Sequence, residues 1–325
     1  MGLKAVIIFA LVLVGLVGVV QWRALSREAR AQAQFPPEGQ LIDVDGTLVH
    51  AVVRGSGPDL VLIHGASGST RDYTFAFADQ LTGSYRVIIF DRPGLGWTDR
   101  PGDTYSGAWN SRAEPPMVQA QLLQKAAQKI GVHTPLVMGH SFGGAVALAW
   151  GLSQPEETAG LVLVASVSNP WPGSLGALYR INATAPGSAL VVPLITAFTP
   201  EKMVRDTVAS IFEPQSAPDG YLDYIGSDMT LRRKAFRANA QQVNSLRPHI
   251  VEMSQRYHEL QMPVEIVHGT ADTIVPLHIH SDPLSRQIPG AVLTRLDGIG
   301  HMPHHVAPLD VLAAIDRAAT RAGLR

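Results

Sequence analysis

The chain has 325 residues, of which 46% are hydrophobic and 16% charged, with a net charge of -1 and no cysteine. That composition excludes a disordered polymer, gives no electrostatic basis for nucleic acid as a partner, and rules out disulfides, thiolate nucleophiles and thiolate metal sites. The length suits one large α/β domain carrying an insertion.

The first feature along the chain is "AVIIFALVLVGLVGVVQW", residues 5 to 22, which carries no charge. It is apolar on every face and close to the length needed to cross a bilayer as a helix. Residues 1–22 are therefore predicted to form a single-pass membrane anchor, with the lipid bilayer as a partner. A cleavable signal sequence is the competing reading, because Ala31-Gln32-Ala33 has the small-x-small form. That motif follows Arg23, Arg27, Glu28 and Arg30, farther from the apolar run than a processing site usually sits. Lys4 and the amino terminus stand against three arginines, so the side of the membrane that holds the globule stays open. Residues 23–38, rich in Ala, Gln and Arg and ending in Phe35-Pro36-Pro37, read as a linker.

The folded domain begins near Gly39. Two β-type runs flank Asp45-Gly46, a hairpin signal. Strands are then predicted at Leu60 to Ile63, Arg86 to Phe90, Leu136 to Met138, Leu161 to Val164, Val264 to His268 and Val292 to Leu296. Helical patterns fall between them, at Arg71 to Leu81, Met117 to Ile130, Phe142 to Gln154, Leu277 to Gln287 and Leu309 to Ala319. Short, nearly all-apolar strands alternating with helices predict an α/β fold with a mostly parallel sheet covered on both faces. Almost a hundred residues separate the strand at Leu161 from that at Val264, with helical patterns and no clear β alternation. The domain plan is thus a core over 39–166 and 261–325, interrupted by a helical cap over 167–260. A cap at the carboxyl ends of the strands roofs the usual ligand site of such a sheet.

The stretch "VMGHSFGGAVALAW", residues 137 to 150, runs from strand to helix through Gly139-His140-Ser141-Phe142-Gly143. This is the G-x-S-x-G pattern in the strand-turn-helix setting it requires. Glycines two before and two after the serine permit a sharp turn that holds Ser141 in strained geometry at a helix start. A serine hydroxyl needs a base and an orienting acid. Asp272, in "VEIVHGTADTIVP", follows one predicted strand, and His301, in "LDGIGHMPHH", follows the last. Asp297, four residues before His301, is the competing acid.

Four motifs in order then resemble the α/β-hydrolase superfamily, over nearly everything from Gly39 to the C-terminus. They are "LIHGASGS", "DRPGLGWTDRP", the serine elbow, and the Asp and His loops. The resemblance implies a Ser141–Asp272–His301 triad, backbone N–H groups of Ala66 and Phe142 as oxyanion donors, and no metal or organic cofactor. It also favours Asp272 over Asp297, because the acid of this family usually follows that strand. The serine at the elbow closes the epoxide and dehalogenation routes that relatives run on an aspartate.

The expected reaction is acyl transfer from a small, moderately apolar substrate, best matched by a carboxylic ester, with water as the acyl acceptor. Carbon–carbon bond hydrolysis, cofactor-free perhydrolysis, and ligand binding without turnover remain as alternatives. Residues 189 to 198, with Leu175, Leu178, Tyr179, Phe212, Tyr221 and Tyr224, are candidates either for an acyl pocket or for packing within the cap. Asp91, His64 and His140 are expected to be structural. His278, His280, His301, His304 and His305 do not have the spacing of a helical metal site. Arg232, Arg233, Lys234 and Arg237 read as a solvated helix face, with lipid head groups as the rival explanation.

Overall fold

A computed structural model describes residues 2–325. Helix α1 (Leu3–Gln34) leads into a hairpin of β1 (Gln40–Val44) and β2 (Thr47–Arg54), whose turn places both Asp45 and Gly46 at positive φ. That is the backbone a two-residue hairpin turn demands, and Asp and Gly tolerate it. There follow β3 (Asp59–Ile63), α2 (Arg71–Thr74), β4 (Arg86–Phe90), α3 (Pro116–Lys129), β5 (Leu136–His140), α4 (Phe142–Ser153) and β6 (Gly160–Val164). An all-helical excursion comes next: α5 (Ala177–Ala183), a π turn at Gly187–Val191, α6 (Val192–Phe198), α7 (Glu201–Ser210), α8 (Tyr221–Tyr224), α9 (Ser227–Thr230) and α10 (Arg233–Ser254). The chain returns through β7 (Val264–Gly269), α11 (Ser281–Gln287), β8 (Val292–Leu296), α12 (Pro303–Val306) and α13 (Pro308–Arg321).

The eight strands lie in the order β1-β2-β4-β3-β5-β6-β7-β8, antiparallel at the β1/β2 and β2/β4 pairs and parallel elsewhere. From β3 the chain moves outward to β4, then crosses back to β5 and continues the other way. The crevice between the carboxyl ends of β3 and β5 is therefore the topological switch point, where open α/β sheets bind ligands. One face of the sheet packs Ile63, Ile88 and Val137 against Leu123, Leu148 and Trp150 of α3 and α4. The other packs Leu62, Ile89 and Met138 against Tyr73, Phe77 and Ile315. Burial on both faces explains why β3 to β6 read as continuous apolar runs rather than alternating ones.

Some expectations need correction. Residues 23–38, expected as a linker, are not a tether, because α1 continues unbroken to Gln34 and its second half packs on α6 and α9 of the helical excursion, the expected cap. Ala24 and Ala31, seven residues apart, are buried and let the helices approach closely. Beside them Arg27 Nη2 donates to Asp228 Oδ1 at 2.8 Å, and Arg233 Nε and Nη2 each donate to a Glu28 oxygen at 2.8 Å. The basic patch is for the same reason not a solvated face. Arg232 bonds the Met229 and Gly96 carbonyls, Arg233 holds Glu28, Lys234 pairs with Asp99, and Arg237 donates to Ser188 O. The helix expected over Arg71 to Leu81 is a single turn, followed by a separate 3-10 turn at Ala78–Gln80.

Candidate active site

The Ser141 turn is built by exclusion of side chains. A Cβ on Gly139 would lie 2.2 Å from Gly143 O, and one on Gly143 would lie 2.1 Å from Ile63 O, so neither position admits any other residue without backbone movement. Ser141 sits between them at φ 53°, ψ -119°, the first residue before α4. For a non-glycine residue such a conformation costs about 1–3 kcal/mol and persists only where neighbours over-determine it. Here Ser141 N donates to Val164 O at 3.0 Å and Val167 N to Ser141 O at 3.1 Å, tying the turn to the end of β6.

Asp272 lies in the loop after β7 and His301 in the loop after β8, and the two meet: His301 Nδ1 stands 2.7 Å from Asp272 Oδ2. A carboxylate only accepts, so Nδ1 carries a proton, and in the neutral ring Nε2 is the nitrogen that keeps its lone pair. The other oxygen of Asp272 accepts from Ile274 N and Val275 N, both at 2.9 Å. Burial opposes ionisation of Asp272, but the bonds from His268, His301 and the backbone outweigh it and hold the carboxyl below the usual carboxylate range. Asp297 accepts from Thr270 Oγ1 at 3.1 Å at the surface instead.

No hydrogen bond joins Ser141 Oγ to His301 among the described residues. The two loops are joined one residue away, where His140 Nε2 donates to His301 O at 2.8 Å. Catalytic hydrogen bonds are often long before substrate binds. With Nε2 protonated, His140 Nδ1 is a bare, buried acceptor without a partner, and burial, with His304 and His301 nearby, keeps this ring neutral by pushing its pKa well down.

Ala66 and Phe142 follow β3 and β5, on either side of the switch point. The peptide that carries Ala66 N–H is fixed from behind. Arg92 N donates to His64 Nε2 at 2.9 Å, which makes Nε2 an acceptor and leaves the proton on Nδ1. His64 Nδ1–H then donates to Gly65 O at 2.9 Å, and Arg92 Nη2 donates to the same oxygen at 3.2 Å. Burial takes His64 down to about 4 and Arg92 down to about 9. The Arg92 guanidinium also lies 4.1 Å from the centre of the Phe142 ring. Polarising the Gly65 carbonyl strengthens the adjoining Ala66 N–H as a donor.

Several contributors at this site were not found by sequence reasoning. Asn239 of α10 accepts from Ser67 N at 2.7 Å and donates to Ser67 Oγ at 2.8 Å, while Thr230 donates to Ser67 O, so the cap grips the residue after Ala66. Ser67 itself is at φ 58°. Tyr179, named above only as a pocket or packing candidate, is half-buried beside this clamp; desolvation raises its phenol pKa and Asn239 partly offsets the rise. His268 Nε2 donates to Val275 O at 2.7 Å and lies 3.2 Å from Asp272 Oδ2. It braces the acid loop. The Asn239 and Thr230 bonds to Ser67 join residues 172 and 163 apart in sequence, and no local motif announces them.

Other histidines divide by partner. His280 Nδ1 accepts from Ser168 N and Asn169 N, both at 3.2 Å, bracing a loop, while His278 is exposed. His304 and His305 turn away from His301 toward Asp72, their Nε2 atoms 3.2 and 2.9 Å from its two oxygens, and Tyr221 OH donates to Asp72 Oδ1 at 2.7 Å. These donor atoms lie within 4.8 Å of one another, close enough for a metal ion. The proton arrangement fits a hydrogen-bonded clamp better. A metal on His304 Nε2 would move the ring proton to Nδ1, a buried atom with no acceptor, whereas metal-bound imidazoles normally donate that proton to a partner. The clamp fastens the His301 loop to α2 and the cap.

Phe212 and Tyr221, candidates for an acyl pocket, are packing residues in a cluster with Met302. Tyr224 OH bonds Glu38 and Thr74. Leu178, Leu190, Leu194 and Phe198 are exposed at the surface.

Comparison with known proteins identifies the family of the fold. A model of the Alpha/beta hydrolase family matches residues 60–315. A 2-hydroxymuconate semialdehyde hydrolase of Pseudomonas putida is 27% identical over 276 residues, which cover 83% of this chain and 90% of that protein. The magnesium-chelatase 30 kDa subunit of Rhodobacter capsulatus is 28% identical over 261 residues, 77% of this chain and 83% of that one. Among solved structures, the esterase RhEst1 from Rhodococcus sp. ECU1013 superposes with a TM-score of 0.64 at 23% identity, covering 86% of this chain and 97% of that one.

Proposed function

Because this chain belongs to the alpha/beta hydrolase family, we propose that it is a serine hydrolase that cleaves a carboxylic ester, or a related acyl bond, of a small, moderately apolar substrate. The observation that carries this reading is the strained Ser141 backbone at the β5–α4 turn, a cost that folding stability alone does not explain. His301, with Nε2 free of its proton, serves as general base. As Ser141 Oγ bonds the acyl carbon, its proton passes to Nε2, and the developing oxyanion is received by the N–H groups of Ala66 and Phe142. The bond to the leaving alcohol then breaks as His301 returns the proton, and water hydrolyses the acyl-enzyme by the same route in reverse. Asp272 holds the ring and its tautomer throughout. The step requires no metal or organic cofactor.

Carbon–carbon bond hydrolysis is the second reading, favoured by the likeness to the Pseudomonas putida semialdehyde hydrolase. A series of nitrophenyl esters of increasing acyl length, assayed beside a vinylogous diketone, separates the two. Ester turnover abolished by Ser141→Ala supports the first reading. Ester inertness with diketone cleavage supports the second, and inertness toward both leaves a ligand-binding role.

Helix α1 is read as an uncleaved anchor. Its most apolar 18-residue window has a mean hydropathy of 2.8 and makes no buried contact with the globule. Cleavage after Ala33 would remove Ala24, Arg27, Glu28 and Ala31, all of which hold the cap.

A further inference from the structure

The exposed apolar side chains of the cap are not scattered. Leu190, Leu194 and Phe198, spaced four apart on the continuous helical run from Gly187 to Phe198, are 60%, 47% and 50% exposed. Leu178 and Ile181 of α5 are also exposed, and α5 meets that run at a bend of 99°. A groove of ≈ 540 Å³ lies between the two, lined by Arg180, Ile181, Leu190 and Val191 among others. Single exposed leucines need no explanation, but a joined stripe of this kind marks a surface that is covered by something.

What covers it is indicated by α1, which runs beside α6. Arg23 Nε donates to Ala197 O at 3.4 Å, and its guanidinium stacks 4.9 Å from the Phe198 ring. Arg27 Nη1 donates to Thr199 O at 2.6 Å. Arg23 is the first charged residue after the uncharged run, so Phe198 stands level with the point where α1 passes from hydrocarbon to head groups. Trp22, at the same level, is 66% exposed, and Arg23 and Arg180 are exposed cations flanking the stripe. Aromatic rings, apolar stems and arginines at one height are the composition of a membrane interface. The clamps from Glu28, Arg27, Ala24 and Ala31 allow α1 no independent swing, so a bilayer crossed by α1 must meet this face of the cap.

We propose that α5 and the 187–198 helix form a membrane-docking face that lies in the head-group layer of the bilayer crossed by α1. The proposal rests on the reading of α1 as an anchor. The natural chain has no cysteine, so single cysteines placed in the full-length protein report one site each. Leu194→Cys tests the face, Val12→Cys tests the anchor, and Thr320→Cys, beside Arg321 at the amino end of β7, serves as a distant reference. Each is labelled with an environment-sensitive nitrobenzoxadiazole dye, and the protein is reconstituted into vesicles of phosphatidylcholine and phosphatidylglycerol. Lipids carrying a spin-label quencher at shallow or deep positions are then added.

The expected result is a blue-shifted emission at 194 quenched most by shallow lipid, a signal at 12 quenched most by deep lipid, and a water-like, unquenched signal at 320. Deep quenching at 12 with a water-like signal at 194 overturns the docking face and leaves the anchor standing. A blue shift at 194 that lipid does not quench also overturns it, by showing that a second copy of the chain covers the face. An unquenched signal at 12 removes the anchor reading and this inference together.

Discussion

His301 donates its Nδ1 proton to Asp272 Oδ2 across 2.7 Å, and this bond decides which nitrogen of the ring is free to act as a base. Replacing the acid by an amide keeps the size of the group but lets its NH2 face the ring, which favours the opposite tautomer. Asp272→Asn is expected to lower kcat/KM by about 10³- to 10⁴-fold with little change in fold. Asp297→Asn, whose carboxylate meets only Thr270 at the surface, is expected to leave it within about twofold of the natural protein, inside the usual range for surface changes. Steady-state kinetics on one ester checks both. A large loss in Asp297→Asn with activity kept in Asp272→Asn would reassign the acid.

Asn239 acts on the Ala66–Ser67 turn through two hydrogen bonds to Ser67. Asn239→Leu removes both while keeping comparable bulk, so the Ala66 N–H, the proposed oxyanion donor, loses its support. A small displacement of such a group costs about 10- to 100-fold in rate. The loss should fall on kcat with KM nearly unchanged, because the donor acts on the transition state. A loss confined to KM would place Asn239 in substrate binding instead.

Buried histidines set the acid limit of stability. Burial takes the pKa of His64 and of His304 to about 4, below the ordinary value of 6.5, with His305 adding to the effect at His304. The unfolded chain therefore binds protons that the native state refuses. Their stabilisation is complete above pH 6.5 and is lost progressively as pH falls toward 4, on the order of 3 kcal/mol for each such group. The depressed Asp272 adds a further loss only below the ordinary carboxylate range. Urea midpoints measured between pH 7.5 and 4.5 should fall steadily. The slope should be shallower in His64→Asn, which retains a donor near Gly65 O without a titrating ring.

The union of α1 with the cap depends on Glu28 and Arg233, joined by two side-chain bonds and one from Arg233 N, each 2.8 Å. A double-mutant cycle of Glu28→Gln and Arg233→Met in detergent micelles should give a coupling of about 1–3 kcal/mol from melting temperatures. Additive effects would mean that α1 is held by apolar packing alone.

What the sequence disclosed, and what it did not, follows from the range of the interactions. Strands β3 to β7 are short apolar runs bounded by turn residues, and the hairpin at Asp45-Gly46 and the elbow at Ser141 are fixed by local sterics, so these were legible within a few residues. Asp272 and His301 were placed on loops that the sheet brings together. The second half of α1 looks like a solvated linker in sequence because the partners of its charged residues, Asp228 and Arg233, lie some 200 residues away. Arg232 to Arg237 look solvated for the same reason. Phe212 and Tyr221 have the composition of a pocket, but only three-dimensional packing reveals that both rings lie against His305, with Tyr221 bonded to Asp72. Pairings at such separations leave no periodic trace in a single chain.

The central claim is that Ser141 Oγ is the nucleophile, and the most direct measurement is the site of covalent modification. The full-length protein is treated with a fluorophosphonate, digested, and its modified peptide sequenced by mass spectrometry. The expected result is one adduct, on Ser141, formed at the rate at which ester hydrolysis is lost and absent from Ser141→Ala. An adduct on another residue, or ester hydrolysis retained in Ser141→Ala, contradicts the account.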